Sequence, residues 1–153
     1  MWDWGKHTWY KPWDWRSKKN NPNFKILYTN SEEFTNEVIN GIRFRKISDV
    51  RDKYRAIDLL LVDDIQFLEN KESTQEEFFH IFNFLFSTKK QIIFTCDQPP
   101  KNIKHVEERL KTRFSQGLTL ELAPPELEMR AAILLKKAHN EKINIDLTED
   151  TAL

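Results

Sequence analysis

The run IDLLLVDDIQF, Ile57 to Phe67, constrains the fold more than any other part of the chain. A strand with one wet face alternates apolar and polar residues, but here the residues from Leu59 to Val62 are apolar without a break. Such a run reads as a strand buried on both faces of a parallel sheet, and it closes on two aspartates, Asp63 and Asp64.

The flanking sequence supplies the rest of an α/β layer. KILYT, Lys25 to Thr29, is a short β-rich run. It is followed by NSEEFTNEVINGIRF, with Ser31 as the expected N-cap and Phe34, Val38, Ile39 and Ile42 at helical spacing. KISDVRDKYRA gives a shorter amphipathic helix ending near Arg55, and TQEEFFHIFNFLFSTKK a helix with a broad aromatic face. QIIFTCDQPP is a second buried strand, stopped by Pro99 and Pro100. KHVEERLKTRF predicts a basic helix, GLTLELAPP a last strand and turn, and ELEMRAAILLKKAHNEK a helix of strong local propensity. INIDLTEDTAL opens a further helix with Thr148 as its cap. Strands alternating with helices predict a parallel α/β sheet.

Composition narrows the function classes. Lys+Arg and Asp+Glu balance at 24 each, so no global basic charge points to nucleic acid or a membrane surface, and any such contact must be a local patch. Cys96 is the single cysteine, which excludes an internal disulfide and fits a reducing compartment. No apolar run approaches the ~20 residues that span a bilayer. We expect a cytoplasmic protein with no membrane partner.

Three groups of residues can carry chemistry. An apolar strand ending in Asp63-Asp64 is how P-loop NTPases hold Mg²⁺ and position water; the same pair also serves as an ordinary cap or turn. Asp97 ends the IIFTCD strand, where ligands sit in open α/β sheets, or forms a turn ahead of the prolines. Arg109 and Arg113 share one helix face, as a solvated pair or as anion-binding groups. His80, His105 and His139 show no metal-ligand spacing.

Taken in order, these features resemble AAA+ ATPases. The strings SEEFTNEVINGIR, YRAIDLLLVDDIQFLENKESTQEEFFHIFN, IIFTCDQPPK and VEERLKTRFSQGLTLELAPPELEMRAAILLKKA closely resemble the bacterial chromosomal replication initiator family, DnaA, from about Asn21 to Leu153. The resemblance implies an AAA+ parallel-sheet sandwich with ATP and Mg²⁺ as cofactors. In it Asp63 is the Walker B ligand of Mg²⁺, Asp64 polarises the attacking water, and Asp97 is the sensor 1 residue. Arg113 is the arginine finger reaching ATP on a neighbouring copy, and Arg109 lies one turn earlier beside the nucleotide. The Ser31–Arg55 helices are the insertion that grips single-stranded origin DNA, with Val38 and Lys71 at strand-contacting positions. Ser73 departs from the family's usual arginine, which removes a phosphate contact. The resemblance divides the chain into an aberrant head at 1–19, a partial AAA+ core at 20–124, and the start of a helical lid at 125–153. It implies a fragment of an ATP-dependent initiator that opens the origin; a remnant unable to bind ATP, or a related regulatory paralogue, are the alternatives. The family's sensor 2 arginine and its duplex-reading domain have no counterpart in these residues, so recognition of duplex origin sequence is not expected.

The family also needs a phosphate loop, G-x-x-x-x-G-K-[ST], just before Asn21. The head instead reads MWDWGKHTWYKPWDW and holds all 5 tryptophans. Tryptophan has a single codon, TGG, so this peptide nearly fixes its DNA. Read two bases later, Met1-Trp2 must give Val, Trp2-Asp3 Gly, Asp3-Trp4 Leu and Trp4-Gly5 Gly. The frame then allows Lys-Thr-His-Leu, so that the shifted reading begins inside the initiator family's phosphate loop and gives its Val-Gly-Leu-Gly-Lys-Thr part. We read the head as that loop out of register, against the rival of an aromatic binding platform. On this reading the central strand preceding the loop is also missing. That leaves a gap in the sheet between QIIFT and LTLEL, and a chain that folds poorly alone.

Overall fold

The structure is a computed structural model that describes residues 23–140. The Trp-rich head and the helix expected from Thr148 lie outside these residues. Strand β1 (Ile26–Asn30) leads through helices α1 (Ser31–Arg43) and α2 (Ile47–Arg55) to β2 (Leu59–Asp63). A 3-10 turn at Ile65–Leu68 and helix α3 (Glu72–Ser87) then lead to β3 (Gln91–Phe94). A second 3-10 turn at Pro100–Asn102 precedes α4 (Glu108–Ser115), and α5 (Leu127–Asn140) follows. The three strands are parallel in the order β1-β2-β3. Both crossovers step the same way along the sheet, so right-handed connections put α1, α2 and α3 on one face.

Register assigns each strand residue to a face. Leu60 and Val62 pair with Leu27, Ile92 and Phe94, and these side chains join the core under the helices. Leu61 pairs with Tyr28 and Ile93, so the opposite face carries Leu59, Leu61 and Asp63. Every residue of β2 is buried, as its unbroken apolar run requires. Edge-to-face aromatic contacts carry the core from helix to helix: Phe34 meets Tyr54 at 5.2 Å and Phe78 at 5.4 Å. Phe114 of α4 lies 4.8 Å from Phe94 and 6.0 Å from Phe78 between ring centroids.

Helix α1 departs from its expected form in two respects. Its cap is Asn30, whose side chain accepts the Glu33 N–H at 2.8 Å. Ser31 is instead the first helical residue, and its hydroxyl donates to the Asp63 carbonyl at 3.1 Å, tying α1 to the end of β2. The buried stripe is Phe34, Val38 and Gly41, while Ile39 and Ile42 are 53 % and 50 % exposed on its flank. Helical spacing admits both flanks, and contact with α2 decides between them. A Cβ on Gly41 would stand 3.0 Å from Val50 Cγ2 and 3.3 Å from the Ile47 backbone, so glycine permits that close approach. Helix α2 is pinned to α3 by Arg51, whose Nε and Nη2 donate to the two Glu77 carboxylate oxygens at 2.8 and 2.7 Å.

Two further expectations change. The basic helix begins at Glu108 and not at Lys104; His105, with a positive φ, lies in the turn before it. Residues 118–122 form no strand, although leucine recurs there at every second position. A strand's N–H and C=O groups need a neighbouring strand, and none of the described strands pairs with this segment. Leu118, Leu120 and Leu122 are all exposed. The chain divides into two compact units between Gly117 and Leu118, and α5 belongs to the second. No helix among the described residues is long and apolar enough to cross a membrane.

Candidate functional site

The acidic end of β2 is held by neighbouring strands on the face away from the helices. Asp63 is 5 % exposed, and both its carboxylate oxygens accept hydroxyl hydrogen bonds. Thr95 Oγ1 donates to Oδ1, and Tyr28 OH donates to Oδ2 at 3.1 Å. Register explains the set, because Tyr28 within β1 and Thr95 just past the end of β3 lie on the pleat side that Asp63 occupies.

Asp64 turns the chain out of the strand in the left-handed region, with φ 57° and ψ 54°. Its N–H donates to Thr95 Oγ1 at 3.1 Å, and its own Oδ1 accepts from Gln66 Nε2 at 3.0 Å. The Ile65 N–H donates to the Thr95 carbonyl at 3.0 Å, which completes the hold on the turn. A non-glycine residue in this conformation persists only where its surroundings fix it. Thr95 is therefore the hub of the acidic turn. Sequence reasoning missed it, because a threonine inside a β-rich run reads as ordinary strand chemistry.

The remaining expected residues fall into separate places. Asp97 is exposed, two positions beyond the hub; its carboxylate takes a weak contact from Cys96 Sγ at 3.9 Å. Burial pushes the Cys96 thiol up from its ordinary value. Arg109 and Arg113 share one face of α4, as their spacing requires, and lie over aromatic rings of α3. The Arg109 guanidinium is 4.5 Å from the Phe79 centroid and that of Arg113 is 5.8 Å from Phe86. Arg109 also pairs with Glu107, and Arg113 donates to Gln116 Oε1 at 3.0 Å. Neither arginine bonds Asp63 or Asp64 among the described residues.

Lys71 stands just before the first turn of α3 without a side-chain capping bond to that helix, and reaches α1, with Nζ 3.5 Å from Thr35 Oγ1. Val38 needs a correction. It is 0 % exposed in the core, so it offers no surface to a DNA strand; the adjacent Ile39 faces outward.

No group of three or more His, Cys, Asp or Glu side chains forms a metal cage among the described residues. The acidic turn still fits Mg²⁺ in the way that ion is held beside phosphates. Each Asp63 oxygen keeps a second lone pair for a metal-bound water, and Mg²⁺ commonly uses one or two carboxylates with waters and phosphate oxygens.

Comparison with known proteins follows the same outline. Residues 3–121 match the family model of the bacterial DnaA ATPase domain. The chromosomal replication initiator protein DnaA of Caldanaerobacter subterraneus subsp. tengcongensis is 54 % identical over 127 residues, covering 83 % of this chain and 29 % of that protein. The crystal structure of domain III from the Thermotoga maritima replication initiation protein DnaA superposes with a TM-score of 0.81 at 35 % identity. That match covers 88 % of this chain and 56 % of the other. A replication initiator DnaA bound to AMPPCP and single-stranded DNA gives 0.76 at 34 % identity, over 89 % of this chain and 41 % of the other. The chain thus spans well under two thirds of the length of these relatives.

Proposed function

We propose, from the premise that this chain belongs to the family of bacterial DnaA ATPase domains, that it is a piece of an ATP-dependent chromosomal replication initiator. The observation that carries this reading is the acidic turn: Asp63 and Asp64 follow one another out of a buried strand and are locked by Thr95. Bound ATP and Mg²⁺ would supply the phosphoryl group and the charge that makes it reactive. Asp63 would hold a metal-bound water, Asp64 would orient the attacking water, and Asp97 would answer the γ-phosphate. Arg113, with Arg109 one turn earlier, would complete the ATP site of a neighbouring copy. That both arginines lie over rings of α3, with Glu107 and Gln116 as their polar partners and not the aspartates of their own chain, supports a role in trans. The phosphate cradle itself is absent from the residues as written. The family match beginning at residue 3, inside the Trp-rich head, supports the reading that the head stands where that cradle belongs.

Single-stranded origin DNA would lie along α1 and the start of α3. Lys71 beside Thr35 supplies a cation, and the exposed Ile39, one turn further along α1, supplies an apolar contact in place of Val38. The test is the anisotropy of fluorescein-labelled oligothymidylate titrated with the chain at low salt, alongside calorimetric titration with ATP. Micromolar strand binding that Lys71→Glu weakens several-fold supports the DNA face. No strand binding at all would remove it. Submicromolar ATP affinity would exclude the second reading, in which the missing loop leaves a remnant that cannot hold nucleotide.

A further inference from the structure

The turn between α1 and α2 combines features that helix capping alone does not require. Helix α1 ends in a Schellman arrangement, with the Lys46 N–H on the Gly41 carbonyl at 2.7 Å and the Arg45 N–H on the Ile42 carbonyl at 3.2 Å. The left-handed position of that motif, where glycine is favoured, is held by Arg45 at φ 55°. Next to it Phe44 is 62 % exposed, and the Arg43 guanidinium lies 5.6 Å from its ring centroid. Arg43, Arg45 and Lys46 make no ion pair among the described residues.

The acids around the turn do not neutralise it. Glu32 and Glu33 occupy the opposite end of α1, Glu37 is paired with Lys53, and Asp49 in the first turn of α2 is a single carboxylate against three cations. Arg43 alone could be assigned to the negative end of the helix dipole. Arg45 and Lys46 lie past the helix, and the exposed ring has no such explanation.

We infer that the Arg43–Lys46 turn is a contact for single-stranded DNA, in which the Phe44 ring stacks on a base while Arg45 and Lys46 neutralise the flanking phosphates. The inference rests on the reading that the strand lies along α1. Ile39 and Ile42, both exposed, share one side of that helix by their spacing with Thr35, which is itself buried and marks where Lys71 reaches α1. At 1.5 Å per residue the path from Thr35 to Phe44 is roughly 13 Å, about four nucleotides at ~3.4 Å each. A base-stacking aromatic set among cations is the means by which strands are bound without reading their sequence.

Oligothymidylate titrations of four variants test it. Phe44→Ala should weaken binding about tenfold, and Phe44→Trp should restore it, as stacking on an exposed ring requires. Arg45→Gly relieves the left-handed strain, so it should raise the melting temperature. It should also bind several-fold more weakly and flatten the log–log salt slope by about 0.7. Higher stability together with lower affinity is an outcome that a purely structural arginine would not give. If Lys71→Glu weakens binding while Phe44→Ala and Arg45→Gly leave it unchanged, the turn is not a contact and the α1 track stands. If the unsubstituted chain binds no oligonucleotide, the track and the turn fall together.

Discussion

Replacing Thr95 by valine tests whether the acidic turn is built as described. Valine keeps the shape and the β-branching that suit the strand, and removes only the hydroxyl. Two groups then lose the hydroxyl they share: Asp63 Oδ1, in a carboxylate 5 % exposed, and the Asp64 N–H. A hydrogen bond to a charged group contributes about 1.5–3 kcal/mol, and an unsatisfied buried donor costs about 1–3 kcal/mol. The two are not additive, because the turn can relax toward water on its exposed side, so the expected loss is about 3 kcal/mol. Thr95→Ser is the control; it keeps the hydroxyl and gives up one methyl, about 0.8 kcal/mol. With a urea slope of roughly 2 kcal/mol per molar, Thr95→Val should unfold about 1.5 M earlier than the parent, and Thr95→Ser less than 0.5 M earlier. Equal midpoints for the two variants would refute the hub, since the hydroxyl would then contribute nothing that a methyl does not.

Two more perturbations follow from contacts that join elements. Glu77→Gln removes the charge that Arg51 holds in a two-point contact between α2 and α3, and should cost about 1–2 kcal/mol; amide exchange within Ile47–Arg55 should quicken more than exchange in α3, and uniform quickening would speak against a local clasp. Asp58 accepts from the Lys25 N–H at 3.0 Å and pairs with the Lys90 side chain, and the two, in that order, hold its carboxyl below the usual range. The stabilisation is therefore complete above the ordinary aspartate pKa of about 3.9, and is lost as pH falls through the depressed folded value. Urea midpoints of parent and Asp58→Asn should differ at pH 6 and converge toward pH 2; a gap independent of pH would assign the effect to the hydrogen bond alone.

What could be read from the sequence was what depends on near neighbours along the chain. The buried character of β2 was legible because four consecutive apolar residues leave only one kind of environment. The family resemblance was legible because the acidic end, the polar strand end and the two-arginine helix come in a fixed order. Thr95 was not, since its importance comes from a register that sets it beside Asp63 across the sheet. That Val38 is buried and Ile39 exposed was illegible for a related reason. The two are adjacent, and only the packing of α2 against Gly41 decides which one faces inward. The alternating leucines of 118–122 carry the pattern of a strand without becoming one, because a strand exists only as a member of a pair.

The same separation between local and paired structure bears on the head. Tyr28, Thr95 and Gln66 hold Asp63 and Asp64 through contacts that lie within the described residues. A change of frame should therefore add phosphate binding to a carboxylate site that already exists. In a chain whose head is rewritten to carry a full G-x-x-x-x-G-K-[ST] loop ending Val-Gly-Leu-Gly-Lys-Thr-His-Leu, the loop's N–H groups and lysine can meet the phosphates while Asp63 holds the Mg²⁺ side. ATP affinity should rise from undetectable to submicromolar, a gain of at least about 4 kcal/mol if the starting constant is near millimolar. Asp63→Asn in the rewritten chain should lower the affinity measured with Mg²⁺ and leave that measured in a chelator unchanged. If the rewritten head binds no better than the original, the loop reading of the tryptophans is wrong. If it binds tightly but Asp63→Asn makes no difference in Mg²⁺, the acidic turn is not the other half of the site.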